Sequence, residues 1–209
     1  MDQPSSFERN GFAVFRGVLA QQTLDLIRGE YDILLANDRL RRGDAQVDKS
    51  FVAYGLPVSE ALMGNLVPFM EEKTGYTLFP TYSYGRVYLT GAALARHVDR
   101  PACEISLSLA IAESGGKPWP LQCETLTGET VAITLSPGDL MIYKGLEVPH
   151  WREPFTGERQ LQVFLHYVRQ DGPYAAHRDD GRQHLGAPAV APTKPSTPPF
   201  AIFRDGKTP

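Results

Sequence analysis

Cysteine is scarce in this chain of 209 residues: only Cys103 and Cys123 occur, and they form no C-x-x-C pair. That spacing argues against a cysteine zinc site or a disulfide framework. One bridge between them is left open, with two reduced thiols the expectation. A long apolar run is also absent, since no stretch approaches the roughly 18 residues that a membrane span needs. The N-terminal MDQPSSFERNGF has no basic region leading into an apolar run, so no signal peptide is expected. Positive charge is not in excess either, with 21 Lys and Arg against 24 Asp and Glu and a net charge of -3. A nucleic-acid partner is therefore not expected, because phosphate contacts need a basic surface. The local cluster Arg39, Arg41 and Arg42 is flanked by Asp38 and Asp44 and reads as a solvated helix end or loop. No internal repeat is visible. The expectation is a soluble, cytoplasmic protein with no membrane partner.

What is present fits one globular domain: 42% hydrophobic and 22% charged residues at a length that can bury a sizeable core. GFAVFRGVL has strand-like residues and precedes a helical pattern, in which Leu24, Ile27, Tyr31 and Leu34 share one face. The charged stretch Asn37 to Asp48 reads as a loop. Ser59 opens a second helical pattern through Leu62, Leu66 and Met70, with Pro68 weakening its continuity and Gly75 a natural stop. Strand periodicity follows. TYSYGRVYL places Tyr82, Tyr84, Arg86 and Tyr88 on one face, and EISLSLAI alternates Ile105, Leu107, Leu109 and Ile111 with Ser106 and Ser108. VAITL, LMIYKG and RQLQVFLHYV are further strands. Helices followed by strands predict an α+β, mainly β architecture: helices supporting an antiparallel sandwich or barrel. The domain is expected to span residues 1–185, and a proline-rich tail residues 186–209, where Phe200, Ile202 and Phe203 could anchor it on the body or on a second subunit.

The chemistry begins at ARHVDRP. His97 and Asp99 are two apart, so an extended strand points both side chains the same way and offers a divalent metal two adjacent ligands. H-x-D alone is a weak signal. His150 lies 53 residues after His97, in EVPHWREP, beyond enough strand for the chain to leave and return. Nine residues further, Arg159 shares a strand face with Leu161, Val163 and Leu165. An arginine on a core face is costly unless it meets an anion, and its planar fork suits a carboxylate.

H-x-D, a distal histidine and an arginine nine residues beyond it resemble the iron(II)/2-oxoglutarate-dependent dioxygenases. The wording RHVDRP, YLTGAALARH, PGDLMIY and the closing G-x-R is similar to the prolyl 4-hydroxylase branch, over roughly Tyr82 to Val168. The resemblance implies a double-stranded β-helix, or jelly-roll, core with supporting N-terminal helices. It implies Fe(II) on His97, Asp99 and His150, which would also be the catalytic set, with 2-oxoglutarate and O2 consumed and ascorbate serving as reductant. Arg159 would hold the far carboxylate of 2-oxoglutarate, and Tyr88 would hydrogen-bond it. Halogenating relatives have a small residue in place of the aspartate, so Asp99 implies hydroxylation, or an oxidative variant such as desaturation or demethylation.

Arg96, Arg100, Trp151 and Arg152 neighbour the expected ligands in sequence and are candidate substrate contacts, or else Arg96 and Arg152 are outward-facing solubilising groups. Their charge suggests an amino acid or a small carboxylate-bearing metabolite, with a peptidyl-prolyl substrate as the alternative. The segment Asp48 to Pro57 resembles an active-site lid, or else a packed connection. A non-catalytic jelly-roll binding module would be expected to have lost one of the four motif residues, and all are present. A cupin-type enzyme would be expected to show H-x-H followed by glutamate, which is absent.

Overall fold

In the computed structural model, residues 5–116 and 118–189 are described, with the backbone of residues 201–202. The chain opens with a short helix α1 (Ser6–Asn10), fixed by a capping box in which Ser5 and Glu8 satisfy each other's backbone N–H groups. Strand β1 (Phe12–Phe15) and helix α2 (Gln21–Ala36) follow, and α2 buries Leu24, Ile27, Tyr31 and Leu34 as its periodicity predicts. After β2 (Arg41–Arg42) and β3 (Ser50–Tyr54), the second helical pattern divides into α3 (Pro57–Asn65) and α4 (Val67–Thr74). The break falls just before Pro68, which cannot donate inside a helix but is accepted in a first turn. Met63 and Met70 are the fully buried residues here, and Gly75 closes α4 in the left-handed conformation.

The remaining strands are β4 (Leu78–Leu89), β5 (Leu94–Val98), β6 (Ile105–Ser114), β7 (Leu121–Glu124), β8 (Thr130–Ile133), β9 (Leu140–Lys144), β10 (His150–Arg152), β11 (Arg159–Arg169) and β12 (Ala201–Ile202). They form two antiparallel sheets, ordered β1-β9-β6-β11-β4-β3-β2 and β12-β5-β10-β7-β8. The chain passes repeatedly from one sheet to the other, which is the jelly-roll expected from the sequence. β3 is a paired strand, so most of the expected lid, Asp48 to Pro57, is a packed connection. Of the tail, residues 186–189 and the backbone of Ala201 and Ile202 are described, the latter paired with β5. Phe200 and Phe203 lie outside the described residues.

Alternation gives the larger sheet two different faces. Ile105, Leu107 and Leu109 of β6 and Leu161, Val163 and Leu165 of β11 pack with Leu24, Ile27 and Tyr31 of α2. The opposite face closes on the smaller sheet through Tyr88, Met141, Leu121 and Cys123. Both cysteines are buried free thiols. Among the described residues, no helix is long and apolar enough to cross a membrane.

Close approach of α2 to β4 depends on Gly85. A Cβ there would lie 1.5 Å from the Tyr31 hydroxyl oxygen and 2.3 Å from the ring carbon bearing it. Tyr31 is itself buried and has no slack to yield. Gly85→Ala is therefore expected to destabilise the fold by about 1–3 kcal/mol, the ordinary cost of overpacking. Urea unfolding would show it as a lower midpoint with an unchanged slope.

Candidate metal centre and its cavity

His97 and His150 are direct cross-strand partners where β10 pairs with β5, which brings residues distant in sequence into contact. Their ring centroids are 4.3 Å apart. His97 Nδ1 lies 2.9 Å from the Ala95 carbonyl and His150 Nδ1 lies 3.0 Å from the Val148 carbonyl. A carbonyl can only accept, so each Nδ1 carries the proton and each Nε2 presents a lone pair. Asp99 Oδ1 is 3.7 Å and 3.8 Å from those two Nε2 atoms. Together the three residues offer ligand atoms all within 4.8 Å of one another.

Electrostatics favour the form that binds a cation. Burial pushes the His97 imidazole down to about 4, helped by the adjacent His150, and burial likewise brings His150 to about 4. Both rings are neutral near pH 7, as metal ligation requires. Burial raises the Asp99 carboxyl above the usual range, while His97 beside it and hydrogen bonds from Tyr143 and Ser106 pull it back. A divalent cation would satisfy this aspartate and both lone pairs at once. The backbone N–H of Asp99 donates to the Gly145 carbonyl at 2.8 Å, so the loop after β9 fixes where the carboxylate sits.

The cluster lies in a cavity of about 400 Å³ between the two sheets. Tyr82, Tyr84, Arg86 and Tyr88 line it from β4, the face that alternation predicts. Gln162, Phe164 and His166 line it from β11. Arg159 does not. It shares the face of Leu161 and Val163, as its spacing indicates, but that face packs under α2. There its guanidinium pairs with Asp32 at 3.1 Å, with side chains 42% and 47% exposed. The anion demanded by an arginine on a core-type face is a carboxylate of α2, and the sequence-based assignment of Arg159 to a cosubstrate is corrected accordingly.

The cavity holds a different arginine. Arg152 is two residues after His150 on β10, so both side chains point the same way. It is 3% exposed and lies over the Trp119 ring. Its hydrogen-bond partners are neutral: the Trp119 carbonyl, and Gln162 Oε1 at 2.8 Å. Burial pushes its pKa below the ordinary arginine value. Around the same cavity, Gln162 Nε2, Ser108 Oγ and Arg86 Nε are buried with no hydrogen-bond partner among the described residues. A buried cation without a counter-ion among the described residues, surrounded by unused donors, has the chemistry to receive a carboxylate.

The expected substrate contacts divide. Arg100 lines the cavity and holds Asp180 with two hydrogen bonds of 2.8 and 2.9 Å. Arg96 instead pairs with Glu124 at 2.7 Å and lies over Trp151. Neither Arg96 nor Trp151 lines the cavity: Trp151 falls between His150 and Arg152 on β10 and faces away from it, a correction to their expected place at the mouth. Tyr88 does line it, edge-on to Trp119. Asp44, Gln46 and Gln162 were not singled out as site residues in the sequence. Arg152 was expected at the mouth as a substrate contact, or else facing outward; it lines the cavity, sharing the parity of His150.

No protein-family model matches the chain, and no curated protein sequence matches it. Solved structures do. A prolyl 4-hydroxylase from Pseudomonas putida is 18% identical with a TM-score of 0.65, over 78% of this chain and 95% of that one. The 2-oxoglutarate-dependent epimerase SnoN of nogalamycin biosynthesis is 16% identical with a TM-score of 0.68, over 95% of both chains. HygX from Streptomyces hygroscopicus, solved with nickel and 2-oxoglutarate bound, is 13% identical with a TM-score of 0.63, over 79% of this chain and 85% of that one. At these identities the likeness establishes the jelly-roll fold.

Proposed function

We propose that this chain is an iron(II)- and 2-oxoglutarate-dependent oxygenase that hydroxylates an unactivated C–H bond of an amino acid or small carboxylate-bearing metabolite. The observation that carries this reading is the convergence of His97, Asp99 and His150 on a cavity whose buried Arg152 has no counter-anion. Two neutral imidazoles and one carboxylate are the donor set of a non-haem iron(II) site that leaves positions open. Iron(II) bound there supplies the oxygen activation that couples conversion of 2-oxoglutarate to succinate and CO2 with oxidation of the substrate.

The protein's own contribution is placement and exclusion of water. The Ala95 and Val148 carbonyls fix the tautomers of the two histidines, while Ser106 holds the other oxygen of Asp99 and Tyr143 hydrogen-bonds the same carboxylate. Arg152 takes the far carboxylate of 2-oxoglutarate, with Gln162 and Ser108 completing its hydrogen bonds, and Tyr88 forms the adjacent wall. Four arginines and two aspartates line the cavity, so it favours anionic ligands. Its volume suits a small substrate beside the cosubstrate, and Arg100 is the substrate-side cation.

Anaerobic addition of 2-oxoglutarate to the iron(II)-loaded protein is expected to give a weak visible charge-transfer band. A panel of amino acids, small carboxylates and proline peptides is then scored by succinate release and product mass. An iron-loaded preparation that binds no 2-oxoglutarate overturns the reading.

A further inference from the structure

We propose that Gln46 is a substrate-positioning residue, whose side-chain amide offers an N–H donor to a carbonyl or carboxylate oxygen of the substrate beside the metal ligands. The inference rests on the oxygenase reading above and deepens it. Gln46 belongs to the connection between β2 and β3, and its side chain lines the same cavity. Its amide N–H donates to the His97 Nε2 lone pair at 2.7 Å, and a metal ion that took that lone pair would release the donor beside the ligand cluster.

The orientation of that amide is set by chemistry. Arg86 Nη2 donates to Gln46 Oε1 at 3.0 Å, and an arginine can only donate. The carbonyl end is thereby turned to Arg86, and the NH2 end is turned to the cluster. An amide nitrogen is not a metal ligand, and the oxygen that could be one is engaged. What remains is a fixed donor, and a fixed donor selects an acceptor.

The backbone around it is pre-organised. Asp44 accepts from the N–H groups of Gln46 and Val47 at 3.0 and 2.8 Å. The same carboxylate accepts from the Tyr84 hydroxyl at 2.7 Å and is paired with Arg86 at 2.7 Å. The Val47 side chain is buried between the sheets, and its carbonyl accepts from the Ser50 hydroxyl. Gly43 takes a φ of 54°, and a Cβ there would lie 2.6 Å from the Asp48 carbonyl oxygen. Each of these contacts holds Gln46 where a substrate would meet it, at little ordering cost on binding. Nearby, Arg41 also lines the cavity, is exposed, and hydrogen-bonds the neutral Tyr84 hydroxyl at 3.3 Å. A substrate carrying an acceptor oxygen close to the oxidised carbon, and preferably a negative charge, fits both groups.

The test uses the full chain loaded anaerobically with Co(II) and 2-oxoglutarate, with acetate and N-methylacetamide as probes. The cobalt d–d spectrum of the wild-type protein is expected to shift saturably with each probe. Gln46→Met is expected to raise the half-saturating probe concentration about ten-fold, the worth of one well-placed hydrogen bond, while the 2-oxoglutarate titration stays as in wild type. Gln46→Glu, which lacks the donor and adds a negative charge, is expected to respond least to acetate. A Gln46→Met protein that binds both probes as wild type does, or a wild-type protein that responds to neither, overturns the proposal. Failure of the wild-type protein to form the cobalt and 2-oxoglutarate complex at all would instead overturn the oxygenase reading, and this proposal with it.

Discussion

Arg152→Ala is expected to weaken 2-oxoglutarate binding by about 30-fold to several thousand-fold, the loss that follows when one partner of a buried charged contact is removed. Arg159→Ala is expected to change the same affinity by less than about two-fold and to lower stability by no more than about 1 kcal/mol, as for an exposed ion pair. Both are read by titrating the anaerobic iron-loaded protein with 2-oxoglutarate and following the charge-transfer band. The contrast follows from what each guanidinium touches. Arg159 is half exposed and already has Asp32. Arg152 is buried against a carbonyl and an amide oxygen, both neutral, with its charge uncompensated. Arg152→Lys is expected to recover part of the binding, because a point charge replaces a fork that can grip both carboxylate oxygens. If Arg159→Ala abolishes binding and Arg152→Ala does not, the anion site is misplaced and the sequence spacing was the better guide.

The reason the sequence pointed to Arg159 is instructive. Strand alternation divides β11 into two faces and correctly groups Arg159 with Leu161, Val163 and Leu165. It does not say which face meets the helices and which meets the second sheet. In this fold the more apolar face packs under α2, and the cavity is lined by the mixed face of Gln162, Phe164 and His166. Core-type neighbours were thus evidence of burial, though not of proximity to His97, Asp99 and His150. The same parity argument worked for β4 because, from Tyr82 to Leu89, its aromatic and basic residues fall on one side and its small and aliphatic residues on the other. It also applies to His150 and Arg152, although three residues of strand were too few to be recognised as one.

The cluster of His97, Asp99 and His150 was readable for a different reason. H-x-D needs only an extended backbone to place both side chains together, and His150 needs only the β5–β10 pairing to face His97. Those are local rules plus one register. Asp44 and Gln46 could not be found this way: their partners on β4 and β5 lie some forty to fifty residues downstream. A loop's charge says nothing about which buried arginine it will meet. Of the lid expected at Asp48 to Pro57, Tyr54 lines the cavity, but from the paired strand β3, and the segment just before it brings Asp44 and Gln46 there.

Gly145 shows how far the site depends on a residue with no side chain, and its substitution should have the second of the two largest effects. Its carbonyl accepts from Asp99 N–H, and its own N–H donates to the Glu104 carbonyl at 3.0 Å. A Cβ built there would lie 2.1 Å from the Cys103 carbonyl oxygen, 2.8 Å from Asp99 Oδ2 and 3.1 Å from Asp99 Cβ. The first contact is with backbone and cannot be relieved by a rotamer change, so the loop after β9 must move away from Asp99. That movement strains the hydrogen bond positioning the carboxylate and carries Tyr143 with it, since Tyr143 lies two residues before Gly145. Gly145→Ala is therefore expected to weaken Co(II) binding by about 100-fold, at the upper end of what outer contacts to a ligand contribute, with a stability loss of about 1–3 kcal/mol. Measuring cobalt affinity and urea unfolding on the same preparation separates the two effects. Overpacking without displacement of Asp99 would lower the unfolding midpoint and leave the metal affinity at the wild-type value, and that result would refute the positioning role assigned to Gly145.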